Sequence, residues 1–214
     1  MMLKRFLQAE DGATMVEMAI AMTLLLTLTL GFVDFGYAFY QWNAATKAVQ
    51  IGARLASVSD PAVNTATLAA ADPGTNPGAP ITAGTYSFEC KYSGSTGACN
   101  GNSAIFNAAA FSRIFRGDTA FTNDDACPGL AANQRPGMCQ FFPGLQRSNV
   151  VVTYTATGLG YQTRLGGPVP TITVSLQNIT FQFFFLGGLL GFADKTMPSM
   201  LSTVTGEDLK STSP

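Results

Sequence analysis

Glu17 stands at the start of the most apolar stretch of the chain, in Gly12-Ala13-Thr14-Met15-Val16-Glu17-Met18-Ala19. A carboxylate at the middle of a membrane-length helix costs about 2.5 to 3.5 kcal/mol, and less near its boundary, so this one needs a partner or an edge position. Two chemistries fit the spacing. If the chain is cut after Gly12, the new ammonium of Ala13 lies one helical turn from Glu17 and neutralises it, within one subunit or across two packed side by side. If it is not cut, Glu17 interacts with the positive end of the helix dipole, worth about 0.3 to 1 kcal/mol. Gly12 has the same two faces: a residue without Cβ that enters a narrow protease cleft in extended form, or a hinge or N-cap before a helix.

The other reactive side chains are Cys90, Cys99, Cys127 and Cys139. Four cysteines allow three pairings, and proximity in sequence favours Cys90 with Cys99 and Cys127 with Cys139. Loops this short contribute roughly 3 kcal/mol each by chain entropy. A zinc site is disfavoured, because no C-x-x-C pair and no histidine is present. Without histidine, neither a Ser-His-Asp triad nor a Cys-His pair can be assembled from this chain. Asp118-Thr119-Ala120 is a partial echo of an aspartic protease triplet, lacking the glycine and a second copy, and Asn123-Asp124-Asp125 lacks the spacing of a calcium loop. Both read as turn residues. The expectation is a protein that is not an enzyme and carries no cofactor or metal.

The elements that must position these groups follow from charge and apolarity. The 214 residues hold 12 Lys+Arg and 13 Asp+Glu, a net charge of -1, and only 12% are charged. No basic cluster exists to displace counterions from phosphates, so no nucleic-acid partner is expected. From Phe6 to Thr46 there is no Lys or Arg, and from Met18 to Val33 no charge at all. Residues 13–33 make about 21 residues, roughly 31 Å of helix, close to the thickness of a bilayer's hydrocarbon core. Lys4 and Arg5 precede this span and the next cation is Lys47, so the positive-inside rule keeps the N-terminus cytoplasmic and exports the remainder. A secretory signal peptide shares the basic start, but its apolar region is shorter and ends at a small-x-small site, whereas this run flows into Asp34-Phe35-Gly36-Tyr37.

Beyond the span, Phe35, Ala38, Phe39, Trp42, Ala45, Val49, Ala53 and Ala56 recur at helical steps, with Gly36, Tyr40, Asn43, Lys47, Gln50, Arg54 and Ser57 opposite. This predicts one helix through residues 13–59, membrane-spanning over 13–33 and amphipathic over 34–58. Residues 60–84, with Pro61, Pro73, Pro77 and Pro80, read as a linker. Residues 85–214 read as an exported, disulfide-bonded, β-rich head. Its expected strands are Thr85 to Tyr92, Val150 to Ala156, Thr171 to Phe185 and Ser199 to Thr205, with a helix from Ala104 to Arg116. The run FQFFFLGGLLGF over 181–192 is too short to span a bilayer. It reads either as the core-facing end of a strand and its turn, which is the favoured reading, or as a contact patch for a neighbouring subunit or the membrane surface.

A short charged leader, Gly12, a small residue, a carboxylate at the fifth position after the glycine and about 20 apolar residues resemble a type IV prepilin processing segment. The run GATMVEMAIAMTLLLTLTLGFVDFGYAF, with Ala53-Arg54 in QIGARLAS, is similar to the TadE-like family of minor pilins or pseudopilins of the tight adherence (Tad, Flp) pilus system. The resemblance covers Glu10 to Ser59. Met18 stands where major Flp prepilins usually have tyrosine, which together with the chain's length separates it from those subunits. The resemblance implies an α+β, type IV pilin-like fold: a long membrane-spanning N-terminal helix packed by a small antiparallel sheet. It further implies a leader of residues 1–12, cleavage by a prepilin peptidase between Gly12 and Ala13, and Glu17 as the assembly carboxylate. The implied partners are that peptidase, other pilin subunits, inner-membrane assembly proteins and the membrane itself. The implied location is the inner membrane and then a pilus. A single-pass anchored binding domain that never polymerises is the alternative.

Overall fold

The computed structural model describes residues 10–72, 76–162, 167–190, 195–206 and 209. It is α+β and separates into two compact units, residues 1–40 with 180–195 and residues 41–179 with 196–214. One helix, α1 (Glu10–Ser57), supplies the first element of both. Ala, Leu and Met, all strong helix formers, supply 18 of its 48 residues. It ends where the Ser57 hydroxyl donates back to the Arg54 carbonyl at 2.9 Å, four residues before Pro61.

In the larger unit five antiparallel strands form one sheet in the order β2-β1-β3-β4-β5, with β1 (Ser87–Ser93), β2 (Thr96–Cys99), β3 (Val150–Thr155), β4 (Thr171–Leu176) and β5 (Met200–Thr205). The centre is a register of buried pairs, Val150 opposite Leu176, Val152 opposite Val174 and Tyr154 opposite Ile172. Alternation puts these six side chains on one face. Against this unit's core, α1 buries Gln41, Ala45, Ala48, Val49, Gly52, Ala53, Leu55 and Ala56. Most are small, which lets the helix backbone come close. A Cβ on Gly52 would lie 2.5 Å from the sulfur of the fully buried Met138.

Several sequence expectations are corrected. The strand expected over Thr171 to Phe185 ends at Leu176, since Asn178 adopts φ 56° and turns the chain. The helix expected from Ala104 is a 3-10 turn at Ser103–Ile105 followed by α3 (Ala108–Arg116). The side chain of Asn107 caps α3 by accepting from the Ala110 N–H at 3.1 Å, so the break sits at a cap. The segment read as a linker holds α2 (Thr65–Ala71), capped by Asn64, and buries Ala62, Val63, Leu68 and Ile81. Its Ala62 N–H donates to the fully buried Tyr154 hydroxyl at 2.8 Å, tying that segment into the sheet. On α1, Phe35, Phe39 and Trp42 are exposed, whereas the small residues that follow them are buried.

The cysteines pair as proximity favours. Cys90 and Cys99 are direct cross-strand neighbours of β1 and β2, and their disulfide closes that hairpin. Cys127 and Cys139 close the loop that delivers Met138 to α1.

Two predictions follow from this packing. Gly52→Leu should lower the stability of the sheet-bearing unit by about 1 to 3 kcal/mol in urea titrations, the cost of overpacking a filled core. In alkali, burial first and Asp72 second push the Tyr86 phenol up to about 12, and burial raises Tyr154 too. A raised phenol pKa means that the folded state holds its proton more tightly. Its stabilising contribution is therefore complete below about pH 10 and is lost as pH rises from there towards 12. Melting temperature should fall across that window, and less steeply in Tyr86→Phe.

Candidate functional site

The sequence-predicted site residues fall on the first two turns of α1. Gly12, Ala13 and Glu17 are all helical and exposed, and Ala13 and Glu17 stand one turn apart. Space around Gly12 is open, with nothing within 4 Å of a would-be Cβ. Residues 1–9 of the expected leader lie outside the described residues. From Met15 to Val33 the apolar side chains are exposed on every side of the helix, Met15 at 77% and Phe32 at 70%. Thr23, Thr27 and Thr29 turn their hydroxyls back onto carbonyls three or four residues earlier, at 2.9 to 3.0 Å, so they present methyl groups outward. A helix of this length, with this apolarity and no burial, is a single-pass membrane anchor.

Asp34, one residue past that stretch, is a buried polar side chain that sequence reasoning passed over. It is fully buried. Its carboxylate accepts the backbone N–H of Phe184 at 3.0 Å and of Phe185 at 2.8 Å. These two residues open α4 (Phe185–Leu190), the short helix formed by the FQFFFLGGLLGF run. Tyr37 packs on the Phe184 ring with centroids 4.8 Å apart. The favoured reading of that run, the core end of a strand, is thereby corrected: Phe184 is 61% and Phe185 41% exposed. The signal was a lone acid at a span boundary, which needs donors, together with a run of apolar residues that lacks strand alternation.

In the sheet-bearing unit, Asn123-Asp124-Asp125 is bound by arginine. Buried Arg147 donates from Nε to Asp125 at 3.1 Å and from Nη1 to Asn123 at 2.6 Å, with its Cζ 4.2 Å above the Tyr92 ring. Buried Arg116 pairs with Asp124. A backbone N–H from Ala126 and then the Arg116 charge hold the Asp124 carboxyl below its usual range. Asp118, of the partial protease triplet, pairs with Arg135 at 2.8 Å and is likewise lowered, chiefly by that hydrogen bond. Asp124 and Asp125 therefore fasten the segment just before Cys127, and Asp118 fastens Arg135 within the loop closed by Cys127 and Cys139. Among the described residues no group of three His, Cys, Asp or Glu side chains converges as a metal site would. Arg54 is exposed beside an apolar groove of about 450 Å³ lined also by Ile51, Leu55, Val58, Arg135 and Pro136.

The helix that carries Gly12, Glu17 and Arg54 also decides the comparison with known families. Residues 12–54 match the family model described as TadE-like protein. The N-terminal helix is TadE-like. No curated protein and no solved structure matches the chain. The match begins at Gly12 and ends at Arg54, so the TadE-like segment takes in the anchor and the part of α1 packed in the sheet-bearing unit, and excludes the sheet itself.

The arginine tether yields a prediction. Arg147→Lys keeps the charge but loses the planar fork over Tyr92, so residues 119–126 should become cleavable by trypsin-free limited proteolysis while the disulfides stay intact. The stability cost should be about 1 to 3 kcal/mol, read from urea unfolding.

Proposed function

We propose that the chain is a minor pilin or pseudopilin of a Tad-type pilus, a structural subunit with no catalytic activity. The observation that carries the reading is an exposed, membrane-length helix whose TadE-like match starts at Gly12. On this reading residues 1–12 are a cytoplasmic leader, a prepilin peptidase cuts between Gly12 and Ala13, and the head is exported. The subunit waits in the inner membrane through α1 and then joins other pilin subunits, with inner-membrane assembly proteins, at or in the pilus. Adhesion through the head is a second task compatible with its exported position.

The physical basis of assembly is the exposed Glu17 carboxylate. Once Ala13 is the N-terminus, its ammonium lies one turn from Glu17 of the same subunit and within reach of Glu17 on a neighbour. In a packed apolar bundle the unpaired partner of such an ion pair costs several kcal/mol, so the pair selects in-register packing.

Two substitutions separate processing from assembly. Gly12→Val meets no obstacle in the folded chain, so full-length protein in the membrane fraction of that variant reports on the peptidase alone. Glu17→Gln should lose its leader and remain in the membrane, yet fail to co-purify with pili. Wild-type protein that keeps residues 1–12, found by mass spectrometry, would instead fit an anchored binding domain that never polymerises. Normal pili containing the Gln variant would leave Glu17 only its contribution to the helix dipole, about 0.3 to 1 kcal/mol.

A further inference from the structure

The unit formed by residues 1–40 and 180–195 contains an apolar segment that the pilin reading leaves without a task. From Thr180 to Ala193 the sequence has no charge, and it carries Phe181, Phe183, Phe184 and Phe185 in quick succession. The Phe181 N–H donates to the Lys195 carbonyl at 2.8 Å, so the segment leaves and returns at one place as a closed excursion. Its tip is α4, with exposed phenylalanines at its start.

Depth along α1 locates this tip. No aromatic residue occurs from Ala13 to Gly31, and then Phe32, Phe35, Tyr37, Phe39 and Tyr40 follow within a few residues. Asp34 lies 21 residues beyond Ala13, roughly 32 Å along the helix axis, where the hydrocarbon ends and the headgroup region begins. Aromatic side chains concentrate at that boundary. Tyr37 is the residue on which Phe184 packs, so the tip of the excursion sits at belt depth.

The hydrogen bonds fit the same place. At the edge of the hydrocarbon an isolated carboxylate is costly, and so are the free N–H groups that open a helix. Asp34 and the Phe184 and Phe185 amides satisfy each other. The contact holds α4 against the helix at this one level.

The geometry points to a second membrane contact: residues 181–190, clamped to α1 by Asp34, form a foot whose phenylalanines lie in the headgroup-acyl boundary of the leaflet at the C-terminal end of the span. The occupant of the exposed aromatic face is lipid, because that face continues the exposed apolar surface of the span itself. The foot fixes the depth and tilt of α1 in a way that one helix with soft apolar ends cannot. The inference rests on α1 spanning the bilayer, and does not depend on polymerisation.

The test uses the full chain in vesicles of phosphatidylethanolamine and phosphatidylglycerol, with tryptophan as a depth probe. In a Trp42→Phe background, Phe184→Trp reports on the foot and Leu25→Trp on the span. Lipids brominated near the carbonyl end should quench the probe at 184 at least about twofold more than lipids brominated near the terminal methyl, and iodide should reach it poorly. The probe at 25 should show the reverse preference between the two lipids. Adding Asp34→Ala to the 184 probe should raise iodide quenching about threefold or more as the foot lifts, with an unchanged urea-unfolding midpoint of the sheet-bearing unit showing that the head remains folded. A probe at 184 open to iodide and untouched by either lipid overturns the foot while the probe at 25 upholds the span. If the probe at 25 is itself unquenched by lipid, the span reading fails first. A probe at 184 shielded from both iodide and lipid means that a second copy of the chain covers the face, and this too overturns the proposal. Unchanged quenching in the Asp34→Ala variant removes the clamp from it.

Discussion

One continuous helix has to satisfy two solvents, and that requirement shapes the chain. In its first half α1 exposes Met, Leu, Ile and Val on all sides, the composition that a bilayer accepts. In its second half the buried positions are mostly small, with Ala45, Ala48, Gly52, Ala53 and Ala56 beside Gln41, Val49 and Leu55, a composition suited to close backbone packing. A large side chain at Gly52 would hold Met138 and its loop away; small residues throughout the first half would leave the span too weakly apolar. The division of side-chain size along the helix is thus a division of environments. The TadE-like match, over residues 12–54, covers both halves of this two-solvent helix.

With only 12% of residues charged, the sheet-bearing unit uses its ions as fasteners. Arg116 and Arg147 are buried, but the carboxylates they hold are half-exposed, so each pair keeps one foot in water and avoids the full desolvation cost of a buried ion pair. The arginine stems add packing, and Tyr92 receives Arg147 on one side while meeting Phe106 and Phe111 edge-on. The disulfide between Cys127 and Cys139 closes the same loop. Loop 118–139 is therefore held by covalent, ionic and backbone ties. At its base, Gly117 at φ 74° lies so close to the Arg135 and Gly137 backbones that no side chain fits there.

Features with a strong period were legible in the sequence. The 3.6-residue and apolar signals gave α1 to within a few residues, while β-branched and aromatic composition in Val150 to Thr155 and alternation in Ile172 to Leu176 gave β3 and β4. Proximity favoured the disulfides that form, Cys90 with Cys99 and Cys127 with Cys139, although sequence alone left three pairings open. Single polar residues escaped: Asn107 caps a helix and Asn178 turns a chain, and neither changes the hydrophobic pattern that surrounds it. The strand β2 is only Thr96–Cys99, with Gly97 lying under the Phe106 ring, too little sequence for a period to appear. Apolarity also misled on Phe35, Phe39 and Trp42, because periodicity marks a face and does not say whether protein or lipid will cover it.

The candidate site shows the same limit, in the contrast between its two acids. Glu17 and Asp34 both interrupt an apolar run, and the sequence treats them alike. In the fold Asp34 has no exposure and spends its carboxylate on two amides of its own chain, so it is unavailable to any other molecule. Glu17 is exposed on the opposite end of the span, with open helix surface around it. A bilayer tolerates such an acid only at its edge, so in the membrane Glu17 confines the start of α1 to the boundary. Within a bundle of like helices no aqueous edge is at hand, and the cost of that carboxylate falls only when a cation is brought to it. The acid satisfied inside the chain holds α4 to α1; on the proposed pilin reading, the acid left on the surface is the one whose energy depends on a neighbour.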